Sequence, residues 1–139
     1  MITVDILEVI EPILNLILAI IFGAIVGFER EKAHKPAGLR THLLVCLGSC
    51  LFTIVSREFN FDPARIAAGI VTGIGFIGAG AIIAEQDKIV GITTAASLWV
   101  TAAIGLTIGV RNYLLAAATT LLVFLVLSSR MIVKKIRKQ

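Results

Sequence analysis

Five apolar runs, at about Ile13–Phe28, Leu39–Val55, Ile66–Ala84, Gly91–Val110 and Tyr113–Ser129, occupy most of the chain and are separated by short charged segments. Each approximates the roughly 20 residues that an α-helix needs to cross a bilayer. The second run reaches that length with Arg40 and His42 extending toward headgroups from its first turn. With 139 residues, 58% of them hydrophobic and 16% charged, and a mean hydropathy of +0.97, the chain has more apolar surface than a soluble domain of its size can bury. It reads as all-α: a polytopic membrane protein with one domain over residues 1–139 and five transmembrane helices. Pro12, Pro36 and Pro63 fall outside the runs, where a missing N–H does least harm.

Lysine and arginine set the expected orientation. Arg30, Lys32, Lys35, Arg40, Lys88, Arg130, Lys134, Lys135, Arg137 and Lys138 lie on one side of the alternating spans, against Arg57, Arg65 and Arg111 on the other. The positive-inside rule then places the N-terminus outside and the basic tail in the cytoplasm, where it suits anionic lipid better than nucleic acid. Residues before the first run have no basic n-region, so the first helix is expected to stay uncleaved. Asp5, Glu8 and Glu11 recur every three residues opposite Ile6, Val9 and Ile10, as in a short amphipathic helix on the outer surface.

The uncharged stretch from Gly69 to Ile83 places five glycines within the twelve residues Gly69–Gly80. Gly73-Ile-Gly75-Phe-Ile-Gly78 matches the letter of the dinucleotide fingerprint, but that motif needs a preceding strand and an acid about twenty residues on, where this chain has Ala95. In a membrane, Gly69, Gly73 and Gly80 share one helix face while Gly75 and Gly78 lie opposite, and small residues let backbones approach closely. The third helix is thus expected at the centre of the bundle, with leucine at Gly73 or Gly80 disrupting assembly. A local unwinding at Gly73-Ile-Gly75 that offers carbonyls to an ion is the alternative.

In the fourth run, Thr94, Ser97, Thr101 and Gly105 form a weakly polar stripe expected to face those glycines, beside Thr93. Its hydroxyls are expected to bond back to their own helix. Trp99, near mid-span, is expected to pack between helices. His42, Cys46, Cys50 and Thr53 share a face of the second helix. His42 and Cys50 lie about 12 Å apart along the axis and cannot share one metal ion, so a small-residue interface with free thiols is expected. Any metal site stays unassigned.

Charges at the helix ends are more informative. Glu29, Arg30 and Glu31 leave the first helix and Arg40-Thr41-His42 opens the second, so Glu29 is expected to pair with Arg40 across a cytoplasmic cluster. On the outer side, Asp62 reads as an N-cap, Pro63 as the first helical residue and Arg65 as a first-turn cation paired with acid.

The runs Gly27-Phe-Glu-Arg-Glu31, Ala37-Gly-Leu-Arg-Thr-His42, Arg65-Ile-Ala67, Gly73-Ile-Gly-Phe-Ile-Gly-Ala-Gly80 and Gly91-Ile-Thr-Thr-Ala-Ala-Ser-Leu-Trp99, in this order, resemble the MgtC/SapB family of bacterial membrane proteins. The resemblance implies a multi-pass inner-membrane protein tied to growth in low magnesium. It also implies two roles proposed for the family, magnesium transport or restraint of a larger complex such as the proton-driven ATP synthase. The sequence stops at Gln139, short of the larger members' cytosolic C-terminal domain, and the resemblance does not extend to activities that depend on it.

The four apolar runs between Leu39 and Ser129 contain no Asp or Glu, and the first run offers only Asn15. Magnesium sheds water reluctantly and is normally held by carboxylates. The residues therefore favour a regulator acting through helix contacts over an autonomous carrier, with a path for Mg2+ or another solute beside the third and fourth helices as the alternative. No P-loop is present and His34 and His42 have no evident nucleophile to activate, so no enzyme and no cofactor is expected. Small-residue faces at Gly23 and Gly27, on both sides of the third helix, and at Gly105 and Gly109 exceed what one protomer can use, which predicts a homodimer.

Overall fold

The computed structural model describes residues 6–58, 62–85 and 88–136, with side chains placed for 9–57, 62, 64–82 and 89–129. Five helices follow in order: α1 (Ile6–Lys32), α2 (Leu39–Glu58), α3 (Pro63–Gly80), α4 (Ile92–Gly109) and α5 (Tyr113–Ile136). A short hairpin of β1 (Ile83–Glu85) and β2 (Lys88–Val90) joins α3 to α4, with Ile83 opposite Val90. Among the described residues, three helices are long and apolar enough to cross a membrane: Val9–Lys32, Leu39–Arg57 and Ile92–Gly109. The apolar stretches of α3 and α5, Ala64–Gly80 and Tyr113–Ser129, are shorter.

Two boundaries differ most from the sequence reading. Pro12 lies inside α1, which starts at Ile6, so residues from Ile6 to Glu11 extend the first helix and do not form a separate surface helix. One missing N–H near a helix start leaves the remaining ladder intact. The third helix ends at Gly80 and the apolar residues after it enter the hairpin. Gly91 closes that hairpin at φ 95°, where a side chain would run into the Ala81 carbonyl.

Helix ends elsewhere follow local chemistry. The Asp62 side chain accepts a hydrogen bond from the Ala64 N–H at 3.0 Å, with Pro63 in the first helical position, as expected. Glu31 of α1 caps the next helix, its Oε2 accepting the Leu39 N–H at 2.9 Å, and Gly38 leaves room for that carboxylate. α1 and α4 close alike. His34 (φ 52°) and Arg111 (φ 67°) are left-handed, and the following amides, Lys35 and Asn112, donate to Arg30 O and Thr107 O at 3.1 and 3.0 Å.

The centre of the bundle is α2. It packs extensively on α1 and α4, which also touch each other, while α5 rests against α1 and α4. Two glycine pairs at helical spacing make this possible. A methyl group added at Gly23 would lie 2.9 Å from Cys46 Cβ and from His42 O, and one at Gly27 would lie 2.9 Å from Leu39 Cα. From the other side, Gly105 abuts the Cys46 carbonyl and Ser49, and a methyl at Gly109 would lie 2.5 Å from Thr53 Cβ. Backbones this close gain dispersion contacts that larger side chains would prevent. Of the glycines from which a second protomer was argued, those of α1 and α4 are thus used within one chain.

The third helix is not central. It lies to one side, against α4 and more lightly against α2. Methyl groups added at Gly69, Gly73, Gly75 or Gly80 would meet nothing within 4 Å, and only Gly78 packs closely, on Ala95. Trp99 likewise points outward at 51% exposure and does not fill space between helices.

Candidate functional site

At one end of α1, α2, α4 and α5 a polar cluster is buried among the helices. Ala19, Gly23, Val26 and Arg30 recur at helical spacing on the buried face of α1, and Glu29 adjoins them. Glu29 and Arg30 form an ion pair with side chains almost wholly buried. Arg30 Nη2 also donates to the Leu127 carbonyl of α5 at 3.5 Å. Withdrawing such a pair from water is costly, so each charge depends on the other.

His42 extends the cluster. Its Nδ1 lies 2.9 Å from Gly38 O, and a carbonyl can only accept, so Nδ1 carries the proton. The other ring nitrogen, Nε2, lies 3.0 Å from Ser97 Oγ of α4, which is also 2.7 Å from Thr94 O. Neutral His42 with its proton on Nδ1 can accept a hydrogen bond from the Ser97 hydroxyl at Nε2, whereas His42 carrying two protons would donate to Ser97 Oγ and leave the hydroxyl to donate to Thr94 O. This one contact ties α2 to α4 at the end where α1 and α2 are joined.

Arg40 is not part of it. Residues 40 and 42 are about 200° apart around a helix, so turning His42 inward turns Arg40 out. The expected Glu29–Arg40 pair is replaced by Glu29 with its chain neighbour. Arg40 and Thr41 instead line a groove between α2 and α3, together with Gly69, Gly73 and, at the far end, Arg65. Arg65 makes no ion pair with Asp62, whose carboxylate is used in capping.

The α4 stripe is buried at Thr94, Ser97, Thr101 and Gly105, while Thr93 is exposed. It faces α2 and not the α3 glycines. Thr101 donates to Ser97 O at 2.7 Å, back-bonding as the sequence suggested. On α2, His42, Cys46, Cys50 and Thr53 are all buried and both thiols are free. Among the described residues no group of three or more His, Cys, Asp or Glu could hold a metal ion.

The MgtC family profile matches residues 16–136. The chain belongs to the MgtC family. It is 49% identical, over 84% of its own length and 59% of the relative's, to YhiD of Escherichia coli strain K12, a protein described as a "putative magnesium transporter". It is 45% identical to protein MgtC of Salmonella typhimurium strain LT2, over 80% of this chain and 48% of that one. Protein MgtC of Brucella abortus is 43% identical over 78% of this chain and 46% of its own. This MgtC-family chain thus spans about half the length of the curated relatives it matches. No solved structure matches it.

Several contacts that organise this MgtC-family bundle escaped sequence reasoning. Ser49 of α2 donates to Ala102 O of α4 at 2.6 Å, and its place one turn from Cys46 on the small-residue face was the available signal. At the opposite end from the His42 cluster, Glu11 pairs with Arg111, and Tyr113 Oη donates to Asn15 Oδ1 at 2.8 Å. Asn15, as the one amide in the first apolar run, needed such a partner. Of the acidic stripe Asp5, Glu8 and Glu11, only Glu11 has a described side chain, and its partner is a cation of the chain.

Proposed function

We propose that this chain is a multi-pass inner-membrane protein of magnesium homeostasis that regulates a larger membrane complex by docking a helix of that complex against α3. The observation that carries this reading is the outer face of α3. Ala68, Thr72, Gly75 and Ala79, at spacings of four, three and four, form an exposed stripe without a large side chain. Lipid tails give helices no hydrophobic reason to associate, so a smooth stripe serves close backbone contact. Within the bundle the equivalent small residues are already matched to α2; on α3 they are open. The names of the relatives, MgtC and a magnesium-transporter-like YhiD, support the magnesium context.

The same reading includes five spans, with the N-terminus outside and the tail cytoplasmic. Glu11 and Arg111 meet at one end of the bundle and the Arg30–His42 cluster lies at the other, which agrees with alternating helices. An ATP synthase is one partner of the required kind, and a second copy of the chain is another. Catalysis forms no part of the proposal.

A carrier is the competing account. The buried hydroxyls speak against a cation path, since Thr53, Ser56, Thr101 and Thr120 each donate to a carbonyl of their own helix at 2.7–2.8 Å. The α2–α3 groove has an arginine at each end, which repels Mg2+. Liposomes containing only this chain are expected to show no magnesium flux, while a membrane complex co-purifies with the wild type and is lost with Gly75→Leu. Magnesium uptake by those liposomes would replace the regulator with the carrier.

A further inference from the structure

We infer that the groove between α2 and α3 is a binding site for an anionic phospholipid, with an acyl chain in the groove and the phosphate at Arg40. The groove has a volume of about 770 Å³ and lies on the face of α3 turned away from the Ala68–Ala79 stripe. It exists because α2 and α3 do not close on their glycines. Gly48 on one wall and Gly69 and Gly73 on the other have no neighbour within 4 Å where a side chain would begin. Between them stand exposed Leu44, Phe52 and Ile77.

Hydrocarbon is what fits there. Water cannot fill an apolar slot inside a bilayer at acceptable cost. The one hydroxyl on the wall at mid-depth, Ser49, already donates to Ala102 O. From Arg40 to Phe52 the groove follows twelve residues of α2, about 18 Å at 1.5 Å per residue. One leaflet's share of a 30 Å hydrocarbon core is about 15 Å, so a single acyl chain spans it.

The charge at the mouth selects the headgroup. Arg40 is the second residue of α2, exposed, and without an ion pair or side-chain hydrogen bond among the described residues. Its position in the first turn places a cation against the positive end of the helix dipole, an arrangement that an anion relieves. The nearby acids are already engaged, Glu29 by Arg30 and Glu31 by the Leu39 amide. Thr41 adds a hydroxyl on the same rim. At the opposite end Arg65 shares its turn with the Asp62 carboxylate, which disfavours phosphate there.

The test uses the full chain in phosphatidylcholine nanodiscs with trace phosphatidylglycerol or phosphatidylcholine bearing a photoreactive diazirine in one acyl chain, and maps the adducts by mass spectrometry. Phosphatidylglycerol adducts are expected on Leu44, Phe52, Ile70 and Ile77 about fivefold above those of phosphatidylcholine, the factor one arginine near the headgroup contributes. Arg40→Gln should remove that preference, and Gly73→Leu should suppress groove adducts of both probes. Should Gly73→Leu fail to fold, Arg40→Gln still decides. Equal labelling by the two lipids, adducts spread evenly onto exposed Leu121 and Leu122 of α5, or adducts excluded by a second copy crosslinked at the groove would each overturn the assignment.

Discussion

Glycines spaced four apart occur on α1, α3 and α4, and they behave in two ways. Gly23, Gly27, Gly105 and Gly109 hold the backbones of α1 and α4 hard against α2, whereas Gly69 and Gly73 face a groove. The spacing is common to both groups, so spacing alone does not make an interface. What differs is the opposing surface: α2 presents a continuous row of buried residues, His42 and the small Cys46, Ser49 and Thr53, to the first group. Toward α3 it presents Leu44, Gly48 and Phe52, two bulky residues around a gap. One side of the molecule is a fitted core, and the other is a surface prepared for something else.

The sharpest contrast between the two sides is electrostatic. Glu29→Gln or Arg30→Gln leaves a buried charge unpaired and is expected to cost about 3–5 kcal/mol. Arg65→Gln at the groove end should leave stability unchanged; denaturation in detergent followed by circular dichroism compares the three. The Glu29→Gln/Arg30→Gln double variant should be less damaging than the two single losses added. Additive losses would show that the charges do not act as a pair.

Next comes packing. Gly105→Ala is expected to cost about 1–3 kcal/mol by overpacking against α2. The same change at Gly73 should stabilise by up to about 1 kcal/mol, because it adds helix propensity without a clash. Thermal melts in one detergent would show opposite signs. The hydrogen bonds give a smaller difference: Ser97→Ala removes the partner of His42 Nε2 at a cost of about 1 kcal/mol, and Thr72→Ala on the exposed face of α3 should be neutral. Smallest is His34→Gly, expected to gain a few tenths to about 1 kcal/mol by relieving a left-handed non-glycine cap.

Much of this architecture was legible in the residues. Hydropathy located the helices because charged segments separate the apolar runs, and the Asp62-Pro63 start was read correctly because capping is local. The α4 stripe was recognised as an interface, since burial of Thr94, Ser97 and Thr101 follows from helical period. Its partner was misassigned. Glycine density suggested α3, but a small-residue face records only that a backbone can approach, and the matching face on α2 is built from His, Cys, Ser and Thr. The Glu29–Arg40 pair failed for a geometric reason that 100° steps could have shown: Arg30 falls in register with Gly23 and Val26, whereas Arg40 falls opposite His42. The hairpin after Gly80 was hidden because Ala81–Ala84 continue the apolar pattern of the helix up to Glu85.

The comparison of Gly105→Leu with Gly73→Leu in the purified chain tests the central claim, that α2 is the closed centre and α3 the open side. Size-exclusion profiles of both variants in mild detergent should show Gly73→Leu as monodisperse as the wild type and Gly105→Leu aggregated or absent. A folded Gly105→Leu beside a collapsed Gly73→Leu would contradict the account and return the third helix to the middle of the bundle.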